Sequence, residues 1–377
     1  MKFNRVLLFM LIAILGLLLS ACGTAPATNW PGMTTDGANV YLASGSHVYV
    51  VQLSDGREIA TQTTEGPIPL RFPTKADASV SFFAAPALTA DGQVIVGNAV
   101  HSSSLMVAKS NSLLYSFDQT AGNVRWSFGE AKGTWMASAL VNGDTIYAPA
   151  GDGKLYAFDL KGQKRWESAV SEHALWSAPV TDGKQVFIAT LEHEIIALDA
   201  QTGAQKWKTD LDNAVLGAPA VAGGTLYVGT LSGNLYALDS AGGKQKWVAA
   251  LQGSIWGTPA ISGETLYIGT AVAKAGKFYA VNITNGKPIQ SRDEASAIIA
   301  SPLVLPDQVV YATEAGHIQS LNLDGTPKWQ ADLEKGQFYT APSLAGDLIL
   351  FAPMQSEFLL LAYDQNGAQK WTFVPGK

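Results

Sequence analysis

A chain of 377 residues, 47% hydrophobic and only 15% charged, is long enough to bury a large core. Its net charge of −6, with no basic stripe, argues against nucleic acid as a partner. A single cysteine excludes internal disulfides and thiolate metal clusters.

Lys2 and Arg5 precede an unbroken apolar run from Val6 to Ser20. The run has the length of a signal h-region and falls short of the roughly 20 residues of a membrane span. It ends in Leu19, Ser20, Ala21 and Cys22, which resembles a bacterial lipobox. Residues 1–21 are therefore expected to be a signal peptide, and Cys22 the mature N-terminus carrying diacylglycerol and palmitate. Residues 22–30 read as a linker that reaches only ~25 Å from the lipid. The body, residues 31–377, is then expected on the outer face of a bacterial membrane. That is the periplasmic side of the outer membrane where the organism has one, because Gly23 is not an inner-membrane retention signal of the Asp type, and otherwise the extracellular face of the cell membrane.

The body repeats one phrase. LYSFDQTAGNVRW begins at Leu114, LYAFDLKGQKRW at Leu155, IIALDAQTGAQKW at Ile195 and LYALDSAGGKQKW at Leu235. Weaker copies begin at Val48, Phe278, Ile318 and Leu360, which makes eight. Trp126, Trp166, Trp207, Trp247, Trp329 and Trp371 close six of them at steps of about 41 residues, while Ala60 and Gln290 hold the Trp place in the other two. Upstream of each phrase stand a short apolar strand, a Gly turn and a β-rich strand such as LYVGT. Strand residues and turn residues alternate in this way with no sustained helical period, so each unit is expected to be a four-stranded antiparallel meander. One meander cannot bury a Trp alone; copies must pack face to face and close a ring. The fold class is all-β, an eight-bladed propeller with seven blades as the alternative. The Asp that ends each third strand is expected to cap the turn, and the Gly after it to supply positive φ.

The phrase Ala197, Asp199, Thr202, Gly203, Trp207 resembles the repeat of the pyrroloquinoline-quinone (PQQ)-like β-propellers, in which the Trp docks one blade onto the next. With the lipobox and the length, the chain is most similar to the outer-membrane β-barrel assembly lipoproteins of the BamB type. That resemblance implies a non-catalytic scaffold, a monomeric propeller, that binds protein partners at the envelope and carries no cofactor or metal. The competing expectation is a quinoprotein-type propeller holding PQQ with Ca²⁺ in its central channel, as a dehydrogenase or a sensor. Against it, the chain has no spare cysteine and no carboxylate-rich insertion. Its five histidines lack metal-ligand spacing and are expected on exposed loops.

With strands lettered A to D from the axis outward, the B–C and D–A loops share one face. Both sizeable insertions fall there: residues 61–82, read as a D–A connection, and residues 101–112, a B–C loop offering His101, Leu105, Met106 and Lys109 as candidate binding residues. At the start of the innermost strands, three places before a repeated Pro or its equivalent, stand Phe83, Trp135, Trp176, Leu216, Trp256, Ile299 and Tyr339. They either ring one mouth of the channel as anchors for a polypeptide or wedge between blades as core; the sequence leaves both open.

Overall fold

A computed structural model of the chain describes residues 31–376, apart from 65, 76, 78 and 101–111. Every regular element among the described residues is a β-strand, and eight antiparallel sheets follow one another along the chain. The fifth is representative: Ala220–Ala222, Thr225–Gly229, Asn234–Asp239 and Gln245–Ala250 pair in chain order as strands A to D. Strands B and C are buried on both faces, whereas D alternates between half-buried and exposed residues. Such a sheet is apolar on both sides and needs a neighbour on each.

The neighbours are other blades. Each of eight core clusters joins two successive sheets, as where Leu155 and Trp166 of the third meet Val186 and Ile196 of the fourth. The last cluster packs Val40 and Leu42 of the first blade against Leu350 and Trp371 of the eighth, so the ring closes at eight.

The repeated phrase encodes the docking contact. Strand C places Ala157, Ala197 and Ala237 opposite Trp166, Trp207 and Trp247, and a bulge beside each pair turns the indole toward the next blade. A small residue opposite leaves room for the ring. Each indole N–H donates to a turn carbonyl of that next blade: Trp126 to Leu160 (3.1 Å), Trp166 to Ala200 (3.3 Å), Trp207 to Ser240 (3.0 Å), Trp247 to Ile283 (3.1 Å) and Trp329 to Gln365 (3.0 Å). Trp371 donates to Leu53 at 2.9 Å and so ties the eighth blade to the first. The same turns present their glycine to the ring. A Cβ built on Gly203 or Gly243 would stand 2.5 Å from Trp166 or Trp207, and both residues have positive φ, 71° and 72°. Asp199 organises its turn as expected, accepting the amides of Gln201 and Thr202 at 3.1 and 3.0 Å.

The two copies without Trp close differently. Gln290 donates its side-chain amide to Asp324 O at 2.5 Å and lies over Gly325. In the first blade the outer strand is interrupted where the Trp would stand. Ala60–Thr63 and Gly66–Pro69 form a separate hairpin, and Arg71–Phe72 then rejoins the sheet opposite Tyr49 and Val48. Phe72 and Leu70 cover Gly122 of the second blade, and Phe72 stacks between Tyr41 and Phe117. A bidentate pair from Arg71 to Glu58, at 2.5 and 2.8 Å, pins the base of the hairpin. Residues 61–82 are therefore more than the D–A connection expected from sequence, because 71–72 supply the outer strand of the first blade. Val80–Phe82 then extends the second sheet, pairing with residues 98–100 of the strand Gln93–Val100.

Replacing Trp207 by Ala should lower stability by about 3 kcal/mol, read as a fall in the denaturant midpoint. An unchanged midpoint would remove the docking role. Gly203→Ala and Gly183→Ala both place a side chain at positive φ, but only the first meets a ring; Gly183 has open space around it. Gly203→Ala should therefore cost about 2 kcal/mol more than Gly183→Ala in the same assay.

Candidate functional site

Just ahead of strand A in each blade, at the end of the D–A connection, adjacent residues differ sharply in burial. Phe82, Trp135, Leu175, Val215, Ile255, Ile298 and Phe338 are at most 1% exposed and wedge between blades. The residues that follow them, Phe83, Met136, Trp176, Leu216, Trp256, Ile299 and Tyr339, retain exposure. Both readings of the aromatic series thus occur, on adjacent residues. Trp135 is the correction: it lies in the wedge series, packed against Phe128 and Tyr156, and Met136 holds its rim position. The third blade has Ala139 where others have Pro, and the Asn142-Gly143 turn, which matches Asp182-Gly183, sets the frame one residue later. Gly97 makes the space for Trp135, since a Cβ there would collide with its ring.

Trp176, Leu216, Trp256, Ile299 and Tyr339 come from five successive blades and line one cavity of about 140 Å³, floored by Gly217 and Gly257. Trp176 is 41% exposed at its edge. Phe83 and Met136, from the second and third blades, stand outside this cavity. It opens on the face of the B–C and D–A loops, because these residues belong to the D–A connections.

Two carboxylates that sequence reasoning did not single out bond to the loops that supply this cavity. The Tyr339 hydroxyl donates to Glu314, in the B–C turn of the seventh blade. Burial, together with that carboxylate, pushes the Tyr339 phenol up to about 12. Glu192, in the B–C turn of the fourth blade, bonds the His173 ring at 2.5 Å and accepts the Ser171 hydroxyl at 2.7 Å. Partial burial opposes its ionisation, yet bonds from His173 and Ser171 hold it down at about 2, and the pairing raises His173. The pair ties the D–A loop that leads into Trp176 to the neighbouring turn. A carboxylate also fixes the equivalent loop one blade on, where Asp212 accepts from Thr230 at 3.0 Å and Asn234 at 2.6 Å. No sequence motif marks these pairs, since loop and turn come from separate halves of the repeat. His47, expected on an exposed loop, is instead 8% exposed beside Tyr49.

The rim offers ring faces, alkyl groups and fixed negative charge. Among the described residues no group of three or more His, Cys, Asp or Glu is arranged to hold a metal ion. The cavity lining contains no carboxylate, whereas Ca²⁺ takes six to eight oxygen ligands, so these residues do not fit a calcium-bound quinone. Cys22 and the loop residues His101, Leu105, Met106 and Lys109 lie outside the described residues.

The sequence profile of a family described as outer membrane protein assembly factor BamB matches residues 24–178 and 172–298. No curated protein matches the chain significantly. Several solved structures share the fold. BamB from Moraxella catarrhalis is 18% identical, covering 85% of this chain and 92% of its own, with a TM-score of 0.62. The computationally designed Ika8 protein is 14% identical over 92% of this chain and 97% of its own, with a TM-score of 0.69. A europium-containing methanol dehydrogenase is 12% identical over 87% and 83%, with a TM-score of 0.65. An assembly factor, a designed protein and a dehydrogenase sharing one ring show that the fold alone does not assign chemistry. The family profile spans most of the chain, and the protein belongs to the family of the outer membrane protein assembly factor BamB.

Proposed function

We propose that this protein is a lipid-anchored, non-catalytic scaffold of the cell envelope that takes part in outer-membrane protein assembly by docking a partner polypeptide at the rim of its channel. The observation that carries the reading is the cavity built from Trp176, Trp256 and Tyr339 with Leu216 and Ile299. Aromatic side chains held on a rigid frame are favoured interface anchors, because they bury large areas at little conformational cost. Glu314, bonded to the lining residue Tyr339, and Glu192, bonded to the loop that leads into Trp176, favour a partner that places basic residues beside its apolar anchor. Family membership supports the setting, and a lipid on Cys22 would hold the ring at the membrane surface. The second reading, a quinoprotein-type propeller, draws on the shared fold of the methanol dehydrogenase. A cavity of about 140 Å³ is small beside the roughly 300–1,000 Å³ of small-molecule sites.

Replacing Trp176 and Trp256 together by Ala should weaken partner capture by about 30-fold or more, with the unfolding midpoint little changed. Full capture by the double variant would move the site off the rim. Titration of the soluble body with PQQ and Ca²⁺, followed by tryptophan fluorescence, should give no saturable quenching; micromolar saturation would favour the second reading. Cys22→Ser should move the chain from the membrane fraction to the soluble fraction, and continued membrane retention would overturn the anchor.

A further inference from the structure

Six of the eight blade junctions are closed by an indole, and one by Phe72. The junction between the sixth and seventh blades has Gln290 in that seat. At the third blade's junction, Trp166 shares its acceptor with an aromatic of strand B. The Tyr147 hydroxyl and the Trp166 N–H both donate to Ala200 O, at 3.0 and 3.3 Å, with the rings 5.7 Å apart. Phe187 with Trp207 and Tyr227 with Trp247 repeat the ring pairing at 5.8 and 5.9 Å.

In the sixth blade half of this arrangement persists. Tyr267 holds the strand-B position and reaches Leu323 O at 3.4 Å. Leu323 follows Asn322 as Ala200 follows Asp199, so its carbonyl is the one that an indole N–H would meet. Gln290 instead turns its amide to the next carbonyl, Asp324 O. Beside Gln290 a notch of about 50 Å³ remains, walled by Tyr267, Phe278, Ala280, Val309 and Leu321. Its walls combine flat rings and alkyl groups with the polar Ser291, Arg292 and Asn322, and the Leu323 carbonyl lies next to it on Tyr267.

We infer that this notch binds an indole: the tryptophan side chain of a partner polypeptide, supplied in trans where the other junctions supply it from their own strand. The open 50 Å³ does not hold the ring alone. Gln290 is exposed and its bond is made at the surface, so the side chain can swing outward and vacate the remaining volume. The incoming N–H then takes Leu323 O, and the ring lies against Tyr267 and Gly325. A polypeptide is the fitting source because the notch opens beside Pro288–Glu294, the longest outer strand of the ring, whose residues 288–291 are all exposed. A chain segment can approach along that strand, as peptides do at sheet edges.

The test uses the ¹⁵N-labelled soluble body and follows the backbone amides of Leu323 and Gly325. The probes are Gly-Gly-Trp-Gly-Gly, its Phe counterpart and free indole. The Trp peptide should produce saturable shifts, with the Phe peptide at least threefold weaker because it lacks the N–H. Gln290→Ala should bind the Trp peptide at least threefold more tightly. Gln290→Trp should abolish the shifts and raise Tm by a few degrees. The Trp176, Trp256 double variant should leave these shifts intact, which separates this site from the channel rim. Absence of saturable shifts in both the wild type and Gln290→Ala would overturn the proposal, as would a Tm lowered by Gln290→Trp. Binding of free indole with no response to the Trp peptide would overturn the polypeptide source.

Discussion

An indole laid flat against a glycine of the next blade, with its N–H on a turn carbonyl of that blade, is the contact on which the rest of the ring depends. It joins a directional bond to a large apolar area, and it fixes both the spacing and the tilt of neighbouring sheets. Several features of the repeat exist to serve it. The small residue opposite the Trp makes room for the ring, the bulge aims it, the turn Asp shapes the receiving loop, and the glycine lets the ring lie close. Apart from the sixth blade, which gives Gln290, and the seventh, which receives it, each blade both gives a ring and receives one, so a local change acts on two interfaces.

That rigidity decides where recognition can occur. Strands B and C are consumed by packing, leaving loops, outer edges and the exposed residue that each D–A connection carries ahead of strand A. The rim residues are presented by a frame whose preceding residue is locked between blades, so Trp176 and Trp256 are held without help from a binding partner. The carboxylates Glu192 and Glu314 are likewise fixed by bonds across a loop or a blade junction, and their charge stays in one place. A surface of this kind binds by complementarity that exists beforehand, which keeps the ordering cost of association low.

Much of this was legible in the sequence. The period of the Trp series and the strand-and-turn alternation lead to eight blades of four strands, since both are local patterns repeated in phase. The phrase also pointed to the Asp and Gly of the turns. What escaped was set by partners distant in the chain. Phe72 takes a tryptophan's seat after a ten-residue hairpin, and nothing local distinguishes it from loop. Trp135 falls one position from the rim because Ala139 replaces the proline used as a marker, and one position exchanges the wedge between blades for the rim. The Tyr339–Glu314 and His173–Glu192 bonds join loops of different halves of the repeat, which only the assembled ring brings together.

The bond from Trp371 to Leu53 O spans 318 residues, whereas that from Trp207 to Ser240 O spans 33. Closing the longer loop costs only about 2 kcal/mol more in chain entropy, because that cost grows with the logarithm of length. The greater consequence is one of timing. During synthesis seven interfaces can form between blades that are neighbours in sequence, but the eighth must wait until the last blade exists. Until then the first blade shows Val40 and Leu42 to solvent, an apolar face awaiting Leu350 and Trp371. A newly made chain is an open arc with two complementary ends, and at high concentration the end of one molecule competes with its own for the beginning of another.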